Sequence, residues 1–168
     1  MAEAGGSSGV VDAGFITRLR KAVRDAVKGP EERREASVGV VKALVRTTPQ
    51  GGPGEAWEAV AKHLQGNSTG EREGALKMVD VLLRRSQAFR TRTVACMDKV
   101  VASVVGKGEK RVPGDEADGQ RLRSAALAII RGWEEEFAGR DVKFDMATRF
   151  ATTRITAAQS RHGRGEGG

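Results

Sequence analysis

The sequence predicts an all-α fold of about seven antiparallel helices. Apolar residues recur at intervals of three and four along most of the chain, which is the spacing of one face of an α-helix. No segment shows the two-residue alternation that is typical of a half-buried strand. The breaks between the periodic segments are mostly short, and short connections place consecutive helices side by side in opposite directions.

The first three predicted helices are separated by breaks rich in glycine and proline. The first begins near Phe15 and ends at Gly29 and Pro30. Pro30 suits the first turn of the second helix, which carries glutamates early, as the helix dipole favours. The second helix ends in the loop "TTPQGGPG", and the third places Trp57 and Leu64 on one apolar side.

A fourth helix is predicted to begin at Ser68, because Ser68 and Glu71 have the spacing of a capping box. The apolar positions of 75–83 and 93–104 share one phase, so a single long helix is possible on pattern alone. We predict two helices, with a break near Ser86–Ala88. Polar side chains interrupt the stripe there, and helices longer than about 25 residues are uncommon in compact domains.

After the polar loop "GKGEKRVPGDEADG" comes the helix with the clearest periodicity, in which Trp133 and Phe137 are the predicted core anchors. A final helix is predicted to turn four apolar residues towards the core: Val142, Met146, Phe150 and Ala151.

Both ends of the chain are rich in small and polar residues. We therefore expect a folded domain over 14–158, with 1–13 and 159–168 disordered. The N-terminus lacks the basic and apolar regions of a secretory signal. No apolar run approaches the roughly 20 residues that a membrane span needs.

The composition fits a globular protein with an acidic partner. Charged residues make up 30% of the chain and apolar ones 39%, and the net charge is +7. That balance favours nucleic acid, an anionic membrane surface or an acidic protein without choosing among them. The single cysteine, Cys96, excludes an internal disulfide and fits the cytosol or nucleus.

No catalytic or metal site is predicted. His63, His162 and Cys96 do not have the spacing of metal ligands. The "GKGEK" stretch lacks the spacing of a phosphate-binding loop, and the glutamates at 134–136 fit a solvated helix face. No nucleophile has a base beside it. We therefore expect no enzymatic activity, no metal and no cofactor.

The stretch "LLRRSQAFRTRTV" combines four arginines with one phenylalanine. At 100° per residue, Arg84, Arg85 and Arg92 point away from the apolar stripe, which makes them candidate contacts for an acidic partner surface. Arg90 falls within the apolar sector beside Phe89. A guanidinium there must be paired, or must bond free carbonyls at the end of the preceding helix. We predict that Phe89 and Arg90 lock a joint between two helices.

Two segments carry short motifs in a specific order: "ALKMVDVLLRRSQAFRTRTV" and "QRLRSAALAIIRGWEEEFAG". They resemble the N-terminal domain of the UV-stimulated scaffold protein A family. Arg85–Arg90 corresponds to the family's R-S-H-x-F-R motif. Leu122 and Arg123, followed by Trp133 and Phe137, correspond to its L-R and W-x-x-x-F-G motifs.

The resemblance is strong over 71–140 and weaker but collinear over 14–70. The sequence departs from the family pattern at two positions: Gln87 stands where histidine is usual, and Ala138 precedes the glycine. The departure at Gln87 matters if the family's histidine contacts a partner.

The resemblance implies a VHS/ENTH-like right-handed superhelix and a non-catalytic scaffold role in transcription-coupled nucleotide excision repair. It implies a location in the nucleus, on chromosomes. The implied partners are Cockayne syndrome protein A, on which the N-terminal domain docks, and stalled RNA polymerase II. Family members also bring in the repair helicase complex TFIIH and associate with a ubiquitin-specific protease.

The 168 residues contain no acidic TFIIH-binding segment and no C-terminal domain with cysteines and histidines. We therefore expect a fragment or a truncated relative, monomeric, that docks without recruiting TFIIH. Two alternatives remain open. One is a VHS/ENTH-type trafficking adaptor that binds ubiquitin, sorting signals or anionic lipid. The other is direct nucleic-acid binding, expected to be weak or absent because no aromatic stacking platform or helix-turn-helix signature accompanies the basic residues.

Overall fold

The computed structural model describes residues 10–165, with side chains as far as residue 161. These residues form eight α-helices and no strand, which confirms the predicted all-α fold. An isolated bridge joins Lys107 and Lys110 in the loop before the seventh helix. The helices are α1 (Ala13–Lys28), α2 (Glu31–Thr47), α3 (Gly52–Leu64), α4 (Thr69–Arg85), α5 (Gln87–Ala95), α6 (Met97–Val105), α7 (Glu116–Phe137) and α8 (Val142–Gly165).

The helices form a superhelix in which α4 is central. It contacts α1, α3, α5, α6 and α7, whereas α2 packs mainly on α1 and α8 mainly on α7 and α6. Buried apolar side chains from all eight helices form one continuous core. The joint between α4 and α5 therefore lies in the middle of the domain, where a change of helix direction affects both halves.

Side chains that cap helix N-termini determine where several helices begin. Asp12, Ser68, Ser86 and Asp115 each accept a hydrogen bond from a backbone N–H in the first turn of α1, α4, α5 and α7. Such caps satisfy donors that have no partner within the helix, typically worth about 1 kcal/mol each. Pro30 precedes α2 without a side-chain cap, and the glutamates in the first turn of α2 complement its dipole instead.

The structure contains one helix more than predicted, because the segment after the joint is divided at Cys96. The backbone of Cys96 leaves the helical region, with φ −116° and ψ 26°, and its N–H donates to the carbonyls of both Arg92 and Thr93. The buried hydroxyl of Thr93 donates to the carbonyl of Phe89 at 2.9 Å, a bond that often bends helices. The apolar spacing continues through this bend, so periodicity alone could not reveal it.

The predicted buried face of α8 was wrong for three of its four residues. Val142, Met146 and Phe150 are 73%, 65% and 42% exposed, and only Ala151 is buried. The face that packs on the core consists of residues three or four apart, of which one is polar and two are alanines: Phe144, Thr148, Ala151, Ile155 and Ala158. The threonine is tolerated there because its hydroxyl donates to the Phe144 carbonyl at 3.1 Å. The larger apolar residues made the wrong stripe look stronger.

The described helices extend slightly beyond 14–158, the range expected for the folded domain, which stays a prediction. The first helix begins at Ala13, and α8 continues through 159–165, where a disordered tail was expected. The side chain of Gln159 anchors this last part of α8 by bonding to Arg123 and Ser124 of α7. Residues 1–9 and 166–168 lie outside the described residues.

Candidate docking surface at the joint between α4 and α5

The joint consists of a single residue, Ser86, which serves both helices. Its N–H donates to the carbonyl of Leu82 at 2.9 Å and so ends α4. Its hydroxyl oxygen accepts from the Phe89 N–H at 3.1 Å, and its carbonyl accepts from the Arg90 N–H at 2.9 Å, which begins α5. The extended backbone of Ser86 changes the chain direction without leaving its own backbone groups unpaired.

Phe89 and Arg90 hold the joint from two sides. The Phe89 ring is fully buried and meets Trp57 edge-on, with 5.8 Å between ring centroids. Arg90 Nη1 donates to the Leu83 carbonyl at 2.7 Å, in the last turn of α4. The Arg90 guanidinium also lies 4.5 Å from the centroid of the Phe137 ring, a cation–π distance. Arg90 thus connects α4, α5 and the C-terminal end of α7.

Arg84 is exposed but ties α4 to α7. Its Nε donates to Asp80 Oδ1 at 2.8 Å, and its Nη1 pairs with Glu136. The same Asp80 oxygen accepts from the buried Trp133 indole at 2.8 Å. The hydrogen bond to Asp80, with the charges of Asp80 and Glu136, raises the pKa of Arg84 above its ordinary value. Arg84 therefore stays charged and is partly occupied by partners within the chain.

Arg92 is engaged more loosely. Its Nη2 donates to Glu58 Oε1 at 2.9 Å, and both side chains are about half exposed. Surface ion pairs of this kind contribute about 0–1 kcal/mol. An acidic partner could therefore replace Glu58 at little cost to the fold.

Arg85 differs from the other two arginines. It is exposed, and within the described part of the chain it has no hydrogen bond or ion pair. It lines a groove of about 550 Å³ between α2, α3 and the α4–α5 joint. Lys42 and Arg46 line the same groove, which we call the α2–α4 groove. The sequence analysis did not single out these two residues, although their i, i+4 spacing on α2 was a usable signal.

The two predicted core anchors lie on the inner side of the same region. Trp133 is fully buried, and Phe137 is 6% exposed and meets Phe144 edge-on at 5.7 Å. Gln87, where the family usually has histidine, is exposed at the rim of a smaller pocket lined by Arg90 and Phe137. The Gln87 side chain therefore lies on the outer surface of the joint.

The sequence analysis missed the structural role of Arg123. Arg123 is only 4% exposed, and its Nε donates to Gln159 Oε1 at 2.6 Å across the α7–α8 contact. Its Nη2 lies 3.8 Å from Glu116 Oε1. Burial lowers the pKa of Arg123 more than the charge of Glu116 raises it. The available signal was its position in the apolar stripe of α7, the same criterion that identified Arg90.

Arg72 has a similar role at the other end of α4. Its Nε donates to the Gly66 carbonyl at 2.9 Å, and its Nη1 donates to the Ser103 carbonyl at 3.0 Å in α6. Burial lowers its pKa, against the opposing charge of Glu71. Like Arg123, this arginine stands in line with an apolar stripe, and it satisfies carbonyl groups near helix ends.

The described residues contain no group of three histidine, cysteine or acidic side chains that could hold a metal ion. Their helices also lack any stretch apolar and long enough to span a bilayer. What the joint presents is a set of charged side chains around a partly apolar groove.

Comparison with known proteins identifies the family. The protein-family model for the UVSSA N-terminal domain matches residues 17–154 of this chain. UV-stimulated scaffold protein A from Bos taurus is 30% identical over 98 residues, which cover 58% of this chain and 14% of the bovine protein. The match thus spans only a small part of that relative. The chain belongs to the UV-stimulated scaffold protein A family, and it corresponds to the family's N-terminal domain.

Proposed function

We propose that this domain is a non-catalytic docking module of a scaffold in transcription-coupled nucleotide excision repair. Its partners are Cockayne syndrome protein A and the stalled RNA polymerase II elongation complex, and it acts in the nucleus on damaged, transcribed DNA. The observation that carries the proposal is the family match over 17–154. The relative's own name describes a scaffold that responds to UV.

The surface of the joint supports this role, and the proposal takes it as the docking site. Arg84, Arg85 and Arg92 are all exposed there, on a chain with a net charge of +7. Such a surface accelerates association with an acidic partner and orients it. Arg85 is the principal contact in this proposal, because Arg84 also stabilises the α4–α7 contact and Arg92 must first release Glu58.

Binding of the purified chain to immobilised Cockayne syndrome protein A from the same organism tests the proposal. We expect the native chain to bind and the double variant Arg85→Glu/Arg92→Glu to bind at least about tenfold more weakly, a loss of about 1.4 kcal/mol. Arg84 is left unchanged, so the contact with Asp80 and Glu136 stays intact.

A matched double variant, Arg131→Glu/Arg149→Glu, makes the same change in net charge at exposed positions on α7 and α8. If both double variants bind equally well, the proposed surface is wrong. If the folded native chain retains neither Cockayne syndrome protein A nor the polymerase complex, the proposed function is wrong. Flotation with anionic liposomes, or binding to ubiquitin, would in that case favour the adaptor alternative.

A further inference from the structure

We propose that the α2–α4 groove binds an acidic peptide segment of a partner protein, with one apolar side chain of that segment on the groove floor. This inference rests on the proposed docking function and adds the chemistry of the recognised segment. It also changes the set of contact residues, because Lys42 and Arg46 join Arg85 while Arg84 does not line the groove.

The charges around the groove are of one sign. Lys42 and Arg46 lie on α2, and Arg85 is the last residue of α4. None of the three has a hydrogen bond or ion pair within the described residues, and no described residue that lines the groove carries a carboxylate. Other cations, such as Lys21, Lys77 and Arg92, have a carboxylate within 4 Å, whereas the three around the groove remain available to a partner.

The helix ends around the groove do not offset this charge. The C-terminal turns of α2 and α4 contribute Arg46 and Arg85, and the N-terminal turns of α3 and α5 contribute Pro53 and Ala88. Each helix end carries about half an elementary charge, positive at the N-terminus and negative at the C-terminus. Two ends of each sign cancel, so the three side-chain cations dominate the local potential.

The floor of the groove is apolar. It contains Val45 and Leu82, which are 6% and 1% exposed, together with Pro49, Pro53 and Ala88. The groove volume of about 550 Å³ lies within the range of ligand sites, about 300–1,000 Å³. An apolar floor inside a basic rim matches a segment with an apolar residue between carboxylates.

The same lining disfavours nucleic acid as the occupant. None of the described residues around the groove is aromatic, so bases would find no stacking platform there. A lipid headgroup would pair with the cations at the rim, Lys42, Arg46 and Arg85, but it would leave the apolar floor exposed to water. A peptide segment uses both features at once.

Gly39 provides a way to block the groove without disturbing the fold. It is an exposed residue within α2 that lines the groove, and a Cβ atom added there would meet nothing within 4 Å. A large side chain at this position would occupy space that the proposed peptide needs. Replacing a glycine inside a helix also removes a residue of low helix propensity, so we expect no loss of stability.

Fluorescence anisotropy with the full 168-residue chain tests the inference. The probe is a labelled peptide of three glutamates, a leucine and three glutamates. We expect Gly39→Phe, and separately Lys42→Glu/Arg85→Glu, to weaken binding at least about tenfold. The control is Gly54→Phe, a helical glycine on α3 that does not line the groove and whose Cβ would also meet nothing within 4 Å. It should bind as the native chain does.

Three outcomes would overturn the inference. The first is unchanged binding by both groove variants; the double charge reversal decides the matter if Gly39→Phe does not fold. The second is equal binding of a probe with serine in place of leucine, because the floor would then be unused. The third is complete competition by single-stranded DNA or phosphatidylserine vesicles at equal charge. Retention by Cockayne syndrome protein A without peptide binding would reject the groove and leave the proposed function standing.

Discussion

The indole Nε1 of Trp133 donates a 2.8 Å hydrogen bond to Oδ1 of Asp80, which joins the core of α7 to the surface of α4. The same oxygen accepts from Arg84 at 2.8 Å. A carboxylate that accepts from both a buried indole and an exposed guanidinium links the interior of the domain to the joint. Substitution of Asp80, Trp133 or Arg84 should therefore weaken the packing of α7 on α4 and lower the free energy of unfolding.

Trp133→Ala should lower the free energy of unfolding by roughly 3–5 kcal/mol, because it leaves a large cavity. Trp133→Phe keeps most of the ring volume and removes the hydrogen bond, so the loss should be smaller, about 1–2 kcal/mol. Urea denaturation of both variants measures the difference. An unchanged transition for Trp133→Ala would mean that this face of α7 does not pack on the core.

Arg90→Ala should destabilise the domain more than Arg84→Ala. Arg90 donates to a carbonyl at the end of α4 and lies over the Phe137 ring, and a hydrogen bond from a charged group contributes about 1.5–3 kcal/mol. The Arg84 side chain is more than a third exposed, and surface ion pairs of this kind are worth about 0–1 kcal/mol each. Thermal denaturation of the two variants side by side gives the order. The reverse order would show that the Asp80 pair, not Arg90, secures the joint.

The pattern of the sequence predicted those features that depend on local chemistry. Ser86 interrupts an apolar stripe with a good capping side chain, so the break between α4 and α5 was predictable. The bend at Cys96 was not, because the apolar positions on either side keep the same phase. The position of Arg90 within an apolar sector required either a charged partner or a free carbonyl at the end of α4, and the structure has the Leu83 carbonyl in that role.

Features that depend on distant parts of the chain were not predictable in this way. Glu136 lies 52 residues from Arg84, and Glu58 lies 34 residues from Arg92. Helical periodicity shows which way a side chain points but not what another helix brings opposite it. For the same reason, three cations that looked equivalent on the helix surface differ in their partners, and the groove beside Arg85 became visible only in three dimensions.

The exposed stripe of α8 provides a test of the corrected helix face. Met146→Ser should change the free energy of unfolding by no more than about 0.5 kcal/mol, because that side chain is 65% exposed. Ile155→Ala, on the face that packs inward, should cost about 2–5 kcal/mol. Urea denaturation compares them directly. If Met146→Ser lowered the free energy of unfolding strongly and Ile155→Ala hardly at all, the face expected from the sequence would be the one that packs on the core.

The last prediction concerns pH and Glu71, which was expected to complete a capping box with Ser68. Ser68 does accept from the Glu71 N–H at 3.1 Å. The Glu71 carboxylate instead meets His63 Nδ1 at 2.7 Å and lies 3.5 Å from Lys28 Nζ. It thereby joins the start of α4 to α3 and α1.

Burial alone would raise the pKa of Glu71, but the hydrogen bond from His63 and the charge of Lys28 outweigh it, so the pKa lies below the ordinary 4.5. A carboxylate with a lowered pKa in the folded state adds stability that is fully present above the unfolded value. That stability is lost as the pH falls through the folded value. The contribution should therefore decline as the pH falls below about 4.5.

Glu71→Gln should cost about 1.5–3 kcal/mol at pH 7, where hydrogen bonds to a charged group are lost, and much less at pH 3. Glu73→Gln is the matched control, since its carboxylate makes an exposed i, i+4 pair with Lys77 that is worth little at either pH. Urea denaturation at both pH values measures the two differences. If the loss for Glu71→Gln were the same at pH 3 as at pH 7, the carboxylate charge would not be what holds α1, α3 and α4 together at this point.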